Sequence, residues 1–175
     1  MTFHTDVLPP EPLHPQREEL LRAFNLTGPD PELDAFATQL AEEADAPYAM
    51  VNLFGEEQQF FGLHTPAADS GLPAVGRSMP LDHGFCPVVV AKKKALVLPD
   101  VCASPRFAGN TVVDLLGIRT YAGAPLIHRG KVLGTVCFVG IKPRELSTGR
   151  GSLALIKRRR DDLMPLLCRR AGIQP

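Results

Sequence analysis

At 175 residues with 45% apolar side chains, the chain has the length of one ordinary domain and enough apolar residues for a sizeable core. Lysine plus arginine and aspartate plus glutamate stand at 19 each, a formal net charge of zero, so no overall field favours nucleic acid or an anionic membrane as partner. The opening residues 1–6 form neither a cationic nor an apolar stretch, and no apolar run approaches the roughly 20 residues of a membrane helix, so a cytoplasmic protein is expected. Cys86, Cys102, Cys137 and Cys168 are widely spaced, without a Cys-x-x-Cys pair; they read as reduced thiols rather than a disulfide framework or a zinc site.

Residues 1–14, with Pro9, Pro10 and Pro12 among polar neighbours, read as a flexible tail, and residues 15–175 as one domain. Leu20, Leu21 and Phe24 suit a short helix from Pro15 that stops before Gly28 and Pro29. Asp30 is placed to cap a second helix, Pro31 suits its first turn, and Leu33, Phe36, Ala37, Leu40, Ala41 and Ala44 keep helical spacing until Pro47. Tyr48–Phe54 and Gln58–His64 are strand-like runs joined at Gly55-Glu56-Glu57, a first hairpin. Residues 65–80 hold Pro66, Gly71, Pro73, Gly76 and Pro80, a loop long enough to be a flap, a binding loop or a plain surface excursion. Asp82 can cap a short helix through Val88–Val90, with Lys92–Lys94 at its C-terminus, where cations suit the helix dipole.

Ala95–Leu98 reads as a short strand ending at Pro99-Asp100. A turn at Ser104-Pro105 and a helical segment over Thr111–Leu116, closed by Gly117, follow. The apolar runs Tyr121–Leu126 and Val132–Gly140 flank the polar turn His128-Arg129-Gly130-Lys131 and form a second hairpin. Val132, Val136 and Phe138 fall on one pleat face and Leu133, Cys137 and Val139 on the other, so this strand is covered on both sides. After Pro143 a last helix carries Leu153, Ile156, Leu163, Leu166 and Leu167, is interrupted by the basic block Lys157–Arg160 with Asp161 and Asp162 behind it, and is expected to kink or end at Pro165. The order implies an α+β domain whose central sheet is mostly antiparallel.

Phe85-Cys86, Val97-Leu98-Pro99-Asp100, Pro105-Arg106-Phe107-Ala108, Arg119-Thr120-Tyr121-Ala122-Gly123-Ala124-Pro125-Leu126 and Leu133-Gly134-Thr135-Val136-Cys137, in this order, resemble the GAF domain, a sensory module of signalling proteins related to PAS domains. The resemblance runs from about Pro15 to Leu167. It implies a five- or six-stranded, mostly antiparallel sheet with helices on both faces: terminal helices that often pair into dimers on one, and a small-molecule pocket under crossover segments on the other. Placed on this sequence, the pocket walls are His83–Val89, Cys102–Asn110 and Tyr121–Leu126, and the candidate ligand-binding residues are His83, Phe85, Cys86, Cys102, Arg106, Phe107 and Tyr121. The chain is short for a GAF domain joined to an output domain, so a stand-alone module is expected.

The chemistry of these residues leaves alternatives. Asp100 after Pro99 suits a turn cap, and Arg106 can pair with it or meet an anionic ligand. Arg119 and Tyr121 alternate onto one face, where the tyrosine offers either a hydroxyl to a ligand or a ring to the core. His83 is the histidine best placed to ligate a haem, though it equally suits a helix end. Cys86, near a helix start and close to His83, resembles one cysteine of the free methionine-R-sulfoxide reductases, which share this fold, and such surroundings lower a thiol pKa; Cys137, in mid-strand, reads as packing. No Ser-His-Asp set, phosphate-binding loop or zinc-protease motif occurs, and neither a catalytic residue nor a metal ligand is expected. The reading is a non-catalytic sensory domain for a small molecule or a partner protein, with possible homodimerisation through the terminal helices, without nucleic-acid or membrane partners and with no cofactor identified. A thiol-based redox enzyme and a purely structural dimerisation module are the alternatives.

Overall fold

The computed structural model describes residues 15–175; the tail expected over residues 1–14 lies outside them. The chain runs α1 (Pro15–Ala23), α2 (Pro31–Ala44), β1 (Tyr48–Phe54), β2 (Gln58–His64), β3 (Ser78–Met79), α3 (Cys86–Lys92), β4 (Leu96–Leu98), α4 (Pro105–Ala108), α5 (Thr111–Leu116), β5 (Thr120–His128), β6 (Lys131–Gly140) and α6 (Gly149–Ala171). It is an α+β fold around one six-stranded sheet of order β3-β2-β1-β6-β5-β4, with every adjacent pair antiparallel.

Local chemistry sets the best-defined elements. The Asp30 carboxylate accepts from the backbone N–H groups of Glu32 and Leu33 at 2.9 and 3.3 Å, so α2 starts with two of its free donors satisfied. The six apolar positions of α2 expected at helical spacing are all buried. The β5–β6 turn places Arg129 and Gly130 at φ 49° and 78°, the paired positive values that match the twist of a two-residue hairpin.

Two cores lie on opposite faces of the sheet. On one, α1, α2 and α6 pack Leu33, Leu40, Ile156, Leu163 and Leu167 against Val51, Ala124, Leu126, Val136 and Phe138. Each fully buried leucine or isoleucine there contributes about 1.5–3 kcal/mol over its exposed state. On the other, α3 and α5 bring Phe85, Val89 and Val112 against Tyr48, Met50, Phe60, Tyr121, Cys137 and Val139. The second core carries the site.

Several expectations are corrected. A bulge opposite Leu126 and Ile127 leaves Leu133 unpaired, so Val132 joins the crossover core and Leu133 the helical one, the reverse of a regular pleat. The 65–80 segment is not a plain loop: it contains a three-residue turn of helix at Ala68–Ser70 and the edge strand β3. Helix α3 starts at Cys86 with Pro87 in its first turn and no side-chain cap; Asp82 instead faces the His83 ring at 3.9 Å. Helix α6 begins only at Gly149 and runs on through Pro165. Within its basic block Arg158 bonds Glu43 at 2.5 Å, and Arg159 is buried with its guanidinium 4.2 Å from the Phe36 ring centre. Arg160 pairs with Asp161, so three of these four cations are spent within the fold.

Candidate functional site

Residues at alternate positions of β1 point into the second core, which is why Tyr48, Met50 and Asn52 form the middle of a concave sheet surface. Gln58 and Phe60 from β2, Tyr121 from β5 and Cys137 and Val139 from β6 complete it. The roof is Val75, Met79, Gly84, Phe85 and Cys86 from the first crossover, together with Val112, Leu116 and Ile118 around α5. A cavity of about 40 Å³ lies between them, room for two or three waters. A ligand of more than a few heavy atoms therefore has to lift part of the roof.

A polar frame holds that roof in place. The Asn52 side-chain amide donates to Gln58 Oε1 at 2.8 Å, and Gln58 Nε2 donates to the carbonyls of Pro80 and His83, both at 2.7 Å. Asn110 caps α5 through the Val112 N–H and also bonds both backbone groups of Gly84, accepting from its N–H at 3.0 Å and donating to its carbonyl at 2.8 Å. Farther out, Tyr48 Oη donates to the Pro73 carbonyl at 2.5 Å, and Arg77 makes two bonds to the Asp34 carboxylate. The Arg77 guanidinium holds that carboxyl below its ordinary range. Within the frame one acceptor is left over: Asn52 Oδ1 is buried without a hydrogen-bond partner.

Sulfur gathers at the deep end. Cys86 Sγ lies 3.2 Å from Tyr121 Oη and 3.7 Å from Cys137 Sγ, which is itself 3.7 Å from Met50 Sδ. Cys86 is the acidic member of the thiol pair, lowered first by the hydrogen bond from Cys137, against the opposing effect of burial, with Thr135, Tyr121 and Asn52 assisting. Cys137 is pushed well up because its proton is held toward the Cys86 sulfur. Burial, reinforced by negative charge on Cys86, raises the Tyr121 phenol well above its ordinary value. All four cysteines are free; Cys102 is exposed and Cys168 is buried in the other core.

Of the seven candidate residues, Phe85, Cys86 and Tyr121 meet at the cavity. Phe107 sits behind Phe85, its ring edge-on at 5.9 Å between centres. His83 contributes its backbone carbonyl to the frame, while its ring lies beside Asp82 and outside the cavity lining, so it does not stand where a haem ligand would. Cys102 and Arg106 are exposed, the first on a turn after Asp100 and the second over the Phe107 ring at 5.2 Å. The expected Asp100–Arg106 pair is replaced by Asp100–Arg119 at 3.2 Å, which takes Arg119 away from the site that Tyr121 enters. The wall expected from Cys102–Asn110 comes instead from α5. Met50, Asn52, Gln58, Asn110 and Cys137 were missed. Asn52 and Gln58 carried a usable signal, being amides within strand-like apolar runs, where a buried polar group needs a specific partner.

The sequence profile described as "GAF domain" matches residues 29–157. The fold is similar to the GAF domain of a phosphoenolpyruvate-protein phosphotransferase from Acinetobacter, with TM-score 0.61 and 14% identity over 89% of this chain and 92% of that one. It is similar to a type II free methionine-R-sulfoxide reductase from Thermoplasma acidophilum, with TM-score 0.59 and 15% identity over 87% and 96%. A third similar structure is the nlh2 GAF domain from A. aeolicus in an inactive state, with TM-score 0.58 and 15% identity over 88% and 94%. No curated protein matches the chain significantly.

Proposed function

The chain belongs to the GAF domain family, and from that premise we propose that it is a non-catalytic sensory domain whose cavity takes a small, mostly apolar molecule carrying one hydrogen-bond donor. The observation that carries this reading is the buried, unpartnered Oδ1 of Asn52, a residue that lines an otherwise apolar cavity. A buried acceptor without a partner costs about 1–3 kcal/mol, which a donor on the ligand recovers. Occupancy acts through the roof: a ligand that fits better when residues 79–86 and α5 are displaced shifts the equilibrium toward that arrangement by its difference in affinity alone. The sheet separates this cavity from α1, α2 and α6, and those helices form the surface for a signalling partner or a second copy of the chain.

Thermal denaturation against a metabolite library, run on wild type and on Val112→Phe, tests the reading. Val112 is a buried roof residue, and the larger ring occupies the cavity. A true ligand at 100 times its Kd stabilises wild type by about 2.7 kcal/mol, a rise in Tm of roughly 5–10 °C for a chain of this size, and leaves Val112→Phe unmoved. Compounds that shift both proteins equally would overturn the assignment.

The Cys86–Cys137 contact favours a second reading, a thiol-dependent sulfoxide reductase. There the two thiols become a disulfide, the sulfoxide oxygen leaves as water, and an external dithiol restores the pair. Thiol-dependent turnover of methionine sulfoxide that stops in Cys86→Ser separates it from the first.

A further inference from the structure

We propose that Met50, Cys86 and Cys137 form a binding site for a soft monovalent metal ion, Cu(I). The assignment concerns the deep end of the cavity read above as the sensor site and rests on that cavity being the way in, since all three residues line it.

Geometry comes first. Cys137 Sγ stands 3.7 Å from both Cys86 Sγ and Met50 Sδ. Three sulfurs sharing one ion at a metal–thiolate distance of about 2.3 Å stand about 3.8–4.0 Å apart, and both separations from Cys137 lie within a few tenths of an ångström of that spacing. The donor set then selects the metal. Two thiolates and a thioether are soft ligands that suit Cu(I), whereas carboxylate and imidazole suit harder or borderline ions. Among the described residues no group of three His, Cys, Asp or Glu side chains could hold a metal ion, which leaves a divalent competitor without a complete set.

The surroundings fit the charge that results. Binding releases the two thiol protons to solvent and moves no electron, leaving two thiolates and one Cu(I), a net charge of minus one. The Tyr121 hydroxyl already touches Cys86 Sγ, and Thr135, buried two residues before Cys137 on the same strand, lies on the same pleat face as that cysteine; both hydroxyls can donate toward sulfur. Cys102 is exposed and Cys168 lies in the other core, and both serve as controls.

The test is a titration of fully reduced protein, under anaerobic conditions, against the Cu(I)–bicinchoninate complex. One equivalent of Cu(I) should transfer to wild type and to Cys102→Ser. Cys86→Ser and Cys137→Ser should each weaken binding by more than about 100-fold, beyond the 10–100-fold that follows loss of a merely supporting group. Met50→Leu, a volume-conserving change that keeps the core filled, should weaken it by about 10-fold. Absence of transfer to wild type, transfer that survives both serine replacements, or full affinity in Met50→Leu would overturn the site. The library thermal shift is read on the same samples. Failed transfer with that shift intact removes the metal site alone; transfer without any Val112-dependent shift removes the sensory reading alone.

Discussion

Gly134→Ala is expected to cost at least about 4 kcal/mol, in the range reserved for changes the fold cannot absorb, and to lower Tm by about 10 °C or more. The reason lies between the two central strands. A Cβ at Gly134 would stand 2.0 Å from the Asn52 carbonyl oxygen and 2.9 Å from Leu53 Cα, and both are backbone atoms that no rotamer change can clear. Gly134 sits at the bulge of β6, opposite Leu53 on β1 and Leu126 on β5, so relief requires β1 and β6 to part. These strands are buried along nearly their whole length. Asn52, whose carbonyl is the clashing group, also supports the cavity frame through Gln58, so the loss should extend to the roof. Differential scanning calorimetry decides it, and a Tm within 2 °C of wild type, by the scaling for a domain of this size, would mean that the β1–β6 register is wrong.

Gly123→Ala should damage the site rather than the whole sheet. Its Cβ would lie 2.0 Å from Tyr121 Oη and 2.6 Å from Cζ. Tyr121 is only 2% exposed and is tilted against Phe85 with ring centres 5.3 Å apart, so the ring yields only by giving up its contact with Cys86. An overpacked ring and an unpaired buried hydroxyl together cost roughly 3 kcal/mol. The variant also has a pH signature. In wild type the Cys86 thiol is lowered to about 6 from an ordinary 9.0. A group depressed on folding contributes stability that is fully present above its unfolded pKa and is lost as pH falls through the folded value. Wild-type stability should therefore climb between about pH 6 and 9. Above that range it should decline, because the unfolded chain releases the Cys137 and Tyr121 protons that the fold retains. With the tyrosine displaced, Gly123→Ala should show a shallower climb; denaturant unfolding across that range measures it, and a profile parallel to wild type would remove Tyr121 from the thiol's environment.

How much of this was legible in the sequence followed the range of the interactions. Asp30, Pro31 and the apolar spacing of α2 act within a few residues of one another, and the helix has the expected limits. The two hairpins were equally readable, because Gly55-Glu56-Glu57 and Arg129-Gly130 close pairs that are adjacent in the chain. Strand β3 was invisible: two residues carry no periodicity, and they are held by Gln58 and Gln59 across the sheet. The bond between Asn110 and Gly84 spans 26 residues and the Cys86–Cys137 contact spans 51; neither leaves a local trace. Arg106, six residues from Asp100, was the partner expected from the sequence, but the backbone path, with the Val101 N–H bonded to the Arg119 carbonyl at 2.8 Å, brings Arg119 to the carboxylate instead. Cys137 looked like packing, which it is, yet its face of the strand is the one that meets Cys86.

The claim on which the functional reading depends is that occupancy is sensed between the sheet and its roof. Hydrogen exchange with and without a compound that stabilises wild type in the thermal screen addresses it directly, since slowed exchange locates where opening has become rarer. Added protection is expected over residues 79–86 and 111–118 and along β1 and β6. Protection confined to α1, α2 and α6, with the roof unchanged, would contradict it.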